Sequence, residues 1–332
     1  MKNLLLLCFT AISSLAGFSN GIDLSSSMVF GNTRLTKLTT TRVEYEASLT
    51  ELYSYDDDGR LISAGPENNP SGYKFDYSRL VDNIVIMTVG GWNRFNITLN
   101  EQGYAASVSS GDGKYCCTYT SDGYLKTLIY EDITDEGDPD RVTYEFHYSN
   151  NCMTDYVYTK TTDDPEDTAT KKTEISYTNM QNSAGFTLPD NFYDIEVTGI
   201  NMVFLAGYLG KASYYLPETV RTVKTNQYDD ISRKDRTFKW TVSRNEIESC
   251  EMNFKRFYGA NESDLDVEYN DILTFGWKTL AGIESVGADA DGIHSEIEQI
   301  YTPEGLILSE LQSGINIVRY SDGSTRKILI RE

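Results

Sequence analysis

The sequence predicts an all-β protein, in which a long antiparallel meander of hairpins forms a curved sheet or barrel and a small β unit follows at the C-terminus. The composition favours strands, because the 332 residues include 24 tyrosines and 13 phenylalanines. Apolar and polar side chains alternate in many short runs. Turn-forming pairs that contain Gly or Asn lie between these runs, as a series of hairpins requires.

Each alternating run places its apolar residues on one face of a strand. Phe238, Trp240 and Val242 alternate with Lys239 and Thr241, which is the period of a strand with one apolar face and one face in water. The same period occurs in residues 115–119 and 144–148. The aromatic faces of these strands are therefore expected to form the core.

The predicted turns combine residues that accept a positive φ angle with flanking strand residues. Gly has no Cβ, and Asn and Asp tolerate the left-handed region, so these residues suit tight hairpins. The pairs are Asp58-Gly59, Gln102-Gly103, Asp122-Gly123, Asn150-Asn151, Glu304-Gly305 and Asp322-Gly323.

The first 20 residues are typical of a secretory signal peptide. Lys2 supplies the positive charge, a mostly apolar stretch follows, and Ala16, Gly17 and Ser19 are the small residues that precede a cleavage site. We therefore expect an exported protein of three parts. These are a signal peptide (1–20), an antiparallel β meander (21–280) and a C-terminal β unit (281–332).

The charge balance limits the partners that the protein can have. A formal net charge of −21 argues against nucleic acid, because binding phosphate groups requires a basic face. It also argues against docking on anionic lipid. The chain has two histidines, His147 and His294, and no Gly-x-Ser-x-Gly motif, so histidine-based catalysis is not expected.

Four cysteines follow the predicted signal peptide: Cys116, Cys117, Cys152 and Cys250. Export to an oxidising compartment permits disulfides, and four cysteines allow three complete pairings. Cys116 and Cys117 are adjacent in a strand-like run, so they are expected on opposite faces. Free thiols that pack as small apolar side chains are the alternative.

The hairpin unit resembles the YD repeat of Rhs-like proteins, in which an aromatic residue precedes Tyr-Asp and a turn with Gly-Arg-Leu. Residues 53–62 match it best, and residues 117–127 retain Tyr119, Asp122, Gly123 and Leu125. Residues 33–275 also resemble a family of exported bacterial domains with a porin-like fold. This second resemblance implies a long antiparallel meander and supplies no catalytic residues.

The C-terminal 50 or so residues resemble the sorting domain of the type IX (Por) secretion system. That domain has an Ile-Tyr-x-x-x-Gly hairpin, then Gly-Ile/Leu-x-Ile-Val, then a basic and apolar end. The matching residues here include Ile300, Tyr301, Gly305, Gly314, Ile317, Val318, Arg326 and Lys327. The resemblance implies that secretion machinery is a partner. The alternative is that this region supplies the last strands of the main sheet.

Two acidic segments, residues 131–140 and 161–170, are predicted to be exposed hairpin tips. Their carboxylates could bind calcium, which prefers hard oxygen ligands, although no cofactor is otherwise expected. Thr168 lies in a sequence that resembles the bacterial O-glycosylation motif Asp-Ser/Thr-apolar.

Three tryptophans are the candidate binding residues, because an exposed indole can stack on a sugar or a peptide. They are Trp92, Trp240 and Trp277, and Trp92 follows the flexible pair Gly90-Gly91. The alternative is that each is a core residue, which is the more common role of tryptophan.

The sequence therefore predicts an exported, non-enzymatic β protein at the cell surface or outside the cell, which binds or displays a glycan or protein ligand. One alternative is a barrel in the outer membrane or a periplasmic location, with polar residues such as Glu145 and Lys239 lining a lumen. Another is a secreted glycoside hydrolase that uses two carboxylates, although no spacing singles out a pair.

Overall fold

The structure is a computed structural model. It describes residues 33–67, 72–111, 113–132, 141–161, 169–185, 192–195, 200–226, 231–243, 246–279, 297–302, 307–308, 311–312, 314–320 and 325–330. The predicted signal peptide, Thr168 and most of the two acidic segments lie outside these ranges.

Sixteen antiparallel strands form a closed barrel, which confirms the predicted fold class. Each strand pairs with the next along the chain, and the last strand pairs with the first. The strands are β1 (Thr33–Arg42), β2 (Ala47–Tyr55), β3 (Leu61–Pro66), β4 (Tyr73–Asp76), β5 (Ile84–Val89), β6 (Asn93–Leu99), β7 (Ala105–Ser109), β8 (Gly113–Tyr119), β9 (Leu125–Asp132), β10 (Arg141–Ser149), β11 (Cys152–Thr161), β12 (Ala169–Gln181), β13 (Tyr215–Asn226), β14 (Ile231–Ser243), β15 (Glu246–Phe257) and β16 (Leu265–Thr279).

The C-terminal strands form a separate four-stranded sheet in the order β18-β17-β19-β20. They are β17 (Ile297–Tyr301), β18 (Ile307–Leu308), β19 (Gly314–Tyr320) and β20 (Thr325–Ile330). Ile300 and Val318 form the buried centre of this small sheet. These strands therefore do not continue the barrel sheet.

The apolar face of the barrel wall points inward and the polar face points outward. Phe238 and Trp240 are buried inside the barrel, whereas Lys239 between them and Thr241 after them are exposed on the outside. On the outer surface, exposed Lys239 pairs with Glu251 of the neighbouring strand at 3.2 Å. The period-2 alternation predicted from the sequence is therefore confirmed.

Four of the predicted turn pairs have a positive φ angle at Gly or Asn, and the other two, Glu304-Gly305 and Asp322-Gly323, lie outside the described residues. Asn150 and Asn151 have φ angles of 51° and 62°, and Gly123 has a φ angle of 86°. A Cβ atom at Gly123 would also lie 2.9 Å from the hydroxyl of Tyr104, so this turn requires glycine for space as well as for conformation.

The segment between β12 and β13 folds into the barrel, and we call its described residues (182–185, 192–195 and 200–214) the plug. The apolar run of residues 202–205 is compatible with a buried strand or a short helix from its sequence alone. In the structure it belongs to a short helix, α1 (Asn201–Leu205), whose apolar residues are buried. Phe192 of the plug stacks on Phe238 and Trp240 of the wall, with ring centroids 5.3 and 5.5 Å apart. In the described ranges, no helix is long and apolar enough to cross a membrane.

Hydrogen bonds to the main chain of the plug fix its position against the wall. The hydroxyl of Tyr156 lies 2.8 Å from the carbonyl oxygen of Tyr193 and 2.7 Å from that of Asp194. The amide of Ala105 donates to the carbonyl of Tyr208 at 2.7 Å. A cavity of about 30 Å³ lies between plug and wall, lined by residues such as Phe146 and Phe204. The packing is therefore close.

The plug enters at the end of the barrel where β12 ends and β13 begins, which we call the plug end. The opposite end, where residues 43–46 join β1 to β2, is the far end. At the plug end, six hairpins share one kind of hydrogen bond. A Tyr O–H or Trp N–H in or just after the second strand donates to a backbone carbonyl near the start of the first strand, at 2.6–2.8 Å. The pairs are Tyr55–Leu35, Tyr77–Leu61, Tyr119–Ala105, Tyr177–Met153, Trp240–Pro217 and Trp277–Ile247.

We expect Tyr156→Phe to lower the free energy of unfolding by about 1–3 kcal/mol. The substitution removes the hydroxyl that donates a hydrogen bond to the buried carbonyl oxygens of Tyr193 and Asp194 in the plug. Urea unfolding measures this change. Tyr45→Phe is the control, because Tyr45 is exposed and its hydroxyl change is expected to stay within about 0.5 kcal/mol. Equal stability of Tyr156→Phe and wild type would contradict the role of this hydroxyl.

Candidate functional site

Five cations point into the barrel from four neighbouring strands, and we call them the basic wall. They are Lys160 on β11, Lys171 on β12, Lys224 on β13, and Lys234 and Arg236 on β14. Their inward direction follows from the register, because they share a face with buried Tyr156, Thr173, Thr222 and Phe238. The basic wall lies between the plug and the far end.

The register places Lys171 directly opposite Lys224 on the neighbouring strand. Lys171 is 7% exposed, and its ammonium nitrogen lies 4.6 Å from the centre of the Tyr158 ring. Lys224 is exposed. Like charges in directly opposed positions repel each other.

The carboxylates of strands β11, β12 and β14 in this region point outward. Asp155, Glu174 and Asp235 each pair with a basic group on the outer surface, at distances of 2.6–2.9 Å. Their basic partners are His147, Lys172 and Arg221. In this part of the wall, therefore, these three carboxylates point outward and the five cations point inward.

Asp194 of the plug is the carboxylate that faces the basic wall. Its Oδ1 lies 2.7 Å from Nη2 of Arg236 and 3.2 Å from Nζ of Lys234. The side chains of Asp194 and Arg236 are 3% and 7% exposed. One carboxylate thus serves two cations. Among the described residues, Nη1 of Arg236 has no hydrogen-bond partner although it is buried.

A second inward ion pair, near the far end, is balanced by contrast. Arg42 donates to both oxygens of Asp271, with Nη2 and Oδ2 3.0 Å apart, and its guanidinium lies 3.5 Å from the centre of the Tyr269 ring. The hydrogen bond with Asp271 raises the pKa of Arg42. Because Arg42 and Asp271 neutralise each other, Arg42 has fewer N–H groups available for a ligand than Arg236 has.

Burial makes the thiols of the lumen unreactive. It raises the pKa of Cys117 and of Cys250 to about 12, so both are protonated at neutral pH and poor nucleophiles. Cys116, Cys117, Cys152 and Cys250 are free thiols in the structure. Cys116 and Cys117 point to opposite faces, as expected from their adjacency.

The three candidate tryptophans do not converge. Trp92 is 92% exposed on the turn between β5 and β6, whereas Trp240 and Trp277 point inward at the plug end. Their indole N–H groups donate to the carbonyls of Pro217 and Ile247 at 2.6 Å. Two of the three therefore serve the packing and closure of hairpins.

The predicted sorting residues lie on two strands of the small C-terminal sheet. Gly314, Ile317 and Val318 belong to β19, and Arg326 and Lys327 belong to β20. Within the described residues, no group of three or more His, Cys, Asp or Glu side chains could hold a metal ion. The tips of both acidic segments lie outside those residues, so calcium binding there stays a prediction.

The basic wall is not apparent from the sequence. Because lysine is usually exposed, the sequence places Lys171 and Lys224 on a solvent-exposed strand face. A usable signal was present, because each lysine is separated by one residue from a threonine, Thr173 or Thr222, on the same strand face. Which face is inward, however, depends on how the sheet closes.

The fold has solved relatives of low sequence identity. No protein-family model matches the chain, and no curated protein matches it. A crystal structure of a porin-like protein from Bacteroides uniformis covers 74% of this chain and 96% of its own, with a TM-score of 0.52 and 17% identity. A porin-like protein from Bacteroides vulgatus covers 74% and 98%, with a TM-score of 0.52 and 13% identity. At such identities the similarity concerns the fold alone, and the chain is a plugged β-barrel with a porin-like fold.

We expect Asp194→Asn to lower the free energy of unfolding by about 3–5 kcal/mol, because two cations then lose their carboxylate in the protein interior. Chemical denaturation measures the change. Glu251→Gln removes one carboxylate from an exposed pair with Lys239, so its effect is expected to be at most about 1 kcal/mol. Equal effects of the two substitutions would show that Asp194 does not hold the plug.

Proposed function

We propose that the protein is a non-enzymatic binding barrel, which is exported to the cell surface and does not conduct solutes. The observation that carries this proposal is the plug, whose residues share one continuous core with the wall. A 16-stranded barrel without such a filling would leave an aqueous channel. The binding role is supported by the basic wall, in which Nη1 of buried Arg236 has no hydrogen-bond partner among the described residues.

The polarity of the wall supports water, rather than lipid, around the barrel. A membrane barrel has an apolar outward band, and a Lys or Arg on its lipid face costs about 2–4 kcal/mol at the bilayer midplane. Here Glu145, Lys239 and Glu251 point outward from the middle of their strands. One alternative from the sequence was that Glu145 and Lys239 line a lumen. Both residues instead lie on the outside of the barrel.

The similarity to porin-like proteins favours the outer-membrane alternative over release into the medium. A barrel at the cell surface agrees with that relationship and with a polar outer wall. We therefore propose a location on the outer face of the cell envelope, where the barrel does not cross the membrane.

We also propose that residues 281–332 are a sorting signal for secretion machinery. Support comes from the resemblance of this region to type IX sorting domains and from its own four-stranded sheet. The barrel closes through β1 and β16 without any of these strands. The hairpins of the barrel similarly support a distant relationship to YD repeats.

The mature chain is expected to stay in the supernatant without detergent and to give no conductance steps in a planar bilayer. Its wall exposes charges that lipid would have to desolvate, and its lumen is filled. Ultracentrifugation with liposomes and single-channel recording measure these properties, with a porin as the positive control. Insertion into liposomes with conductance would overturn the proposal.

Removal of residues 281–332 is expected to abolish delivery to the cell surface in a host with the exporter, while the barrel keeps its fold. Fractionation reports delivery, and circular dichroism reports the β structure of the shortened chain. The matched control carries Lys239→Gln in the full-length chain, which changes only the barrel surface. Normal delivery of the shortened chain would show that the sorting role is wrong.

A further inference from the structure

We infer that the outer wall of the barrel binds a neutral glycan, in a groove where β12, β13 and β14 lie side by side. The groove has a volume of about 460 Å³, and we call it the outer groove. It lies on the opposite face of the wall from the inward cations, so the inference goes beyond the proposed function and requires only that the outer wall is in water. The outward side chains that line it are Glu174, Ser176, Thr219, Arg221, Asp235 and Thr237.

Two rows of outward side chains form the floor of the outer groove. The three charged residues are directly opposite one another on the three strands, and the three hydroxyl residues form the next row. The hydroxyl residues are short and exposed, so they leave space beside the longer charged side chains. The volume lies within the range of about 300–1,000 Å³ that is usual for small-molecule sites.

The loop between β15 and β16 (258–264) bounds the groove on the side of the far end. Arg233 on β14 donates from Nη1 to the carbonyl oxygen of Ala260 in this loop at 2.7 Å. Its guanidinium also lies 3.8 Å from the centre of the Phe257 ring. Arg233 and Phe257 are buried although both point outward from the wall. The loop therefore covers the wall at this point and stands above the floor of the groove.

The charges around the outer groove are balanced. Three carboxylates pair with three cations, so these residues carry no excess charge that would attract an anion or a cation. A neutral ligand therefore suits this surface better than a charged one. The pairs are Glu174–Lys172, Asp235–Arg221, Asp235–Arg233 and Glu262–Arg233.

The groove keeps hydrogen-bonding capacity for a ligand that is rich in hydroxyl groups. Among the described residues, Arg221 donates to Asp235 with two of its five N–H groups, and its side chain is 55% exposed. Oγ of Ser176 and Oγ1 of Thr219 are 2.6 Å apart, so one hydroxyl donates to the other and one proton remains for a further acceptor. Each sugar hydroxyl both donates and accepts, so a glycan can use both kinds of group.

A peptide matches this surface less well than a glycan does. An extended peptide binds a sheet by adding a strand to an open edge, whereas this sheet closes on itself through β1 and β16. The groove instead offers the face of the sheet, where side chains are the hydrogen-bonding groups. Sugar hydroxyls can bind such side chains without any strand pairing.

The test uses the mature chain and isothermal titration calorimetry with neutral hexasaccharides of glucose, mannose, xylose and N-acetylglucosamine. We expect saturable binding of at least one of them. Thr219→Val is expected to weaken this binding by about three- to tenfold, because a hydrogen bond to the ligand is lost. Thr118→Val is the matched control, because Thr118 forms the same kind of outward hydroxyl pair with Thr127, at 2.7 Å, away from the groove.

Arg221→Lys tests the second binding group. It keeps a positive charge beside Asp235 but loses the planar fork of donors, so binding is expected to weaken by about tenfold. Arg79→Lys is the control, because Arg79 forms an exposed pair with Asp82 through Nε and Nη2. Thermal melting by circular dichroism verifies that each variant is folded at the temperature of the titration. Binding that weakens equally in groove variants and controls, or in neither, overturns the inference.

Salt and ligand charge separate a neutral glycan from other ligands. The affinity is expected to be the same at low and high salt, because a neutral ligand forms no ion pair that salt can screen. Oligogalacturonate and a neutral hexapeptide of glycine and serine are expected to bind more weakly than the preferred hexasaccharide. No saturable binding of any neutral hexasaccharide, or tighter binding of the acidic glycan or the peptide, overturns the inference.

The inference and the proposed function can fail independently. The proposed function is judged by solubility and conductance, and a soluble, non-conducting chain that binds none of the hexasaccharides contradicts only the inference. A chain that inserts into liposomes and conducts contradicts the proposed function, whatever the titrations show.

Discussion

The structure depends on how the interior of a 16-stranded barrel is filled. A closed sheet of this size encloses more space than its own inward side chains occupy, and an unfilled lumen would expose its aromatic face to water. The plug solves this problem, because Phe192 stacks on the wall and Tyr156 bonds the carbonyls of the plug. At the plug end, Tyr and Trp donors also tie the strands of six hairpins together.

Filling the lumen reverses the polarity of a membrane barrel. With the apolar face turned inward, the outer surface carries cross-strand pairs such as Lys239–Glu251 and hydroxyl pairs such as Thr118–Thr127. The protein thus shares its fold with porin-like proteins and carries a polar outer wall. Fold similarity and surroundings are separate properties, since pairing belongs to the backbone and solvation to the outward side chains.

The plug also divides the lumen into two chemically different halves. Near the plug end the interior is aromatic and closely packed, and beyond Asp194 it becomes cationic. Asp194 lies at the boundary, where one carboxylate contacts both Lys234 and Arg236. Asp194 therefore both holds the plug and neutralises part of the charge of the basic wall.

The sequence by itself determined the local features of the protein. Strand period, turn positions such as Asn150-Asn151 and the all-β class follow from neighbouring residues, whose φ angles and side-chain directions are set locally. The tertiary structure decided which face is inward, that residues 201–205 are helical, and that Trp240 and Trp277 close hairpins. It alone brought Lys171 and Lys224 together, because their contact depends on strands separated by the whole plug.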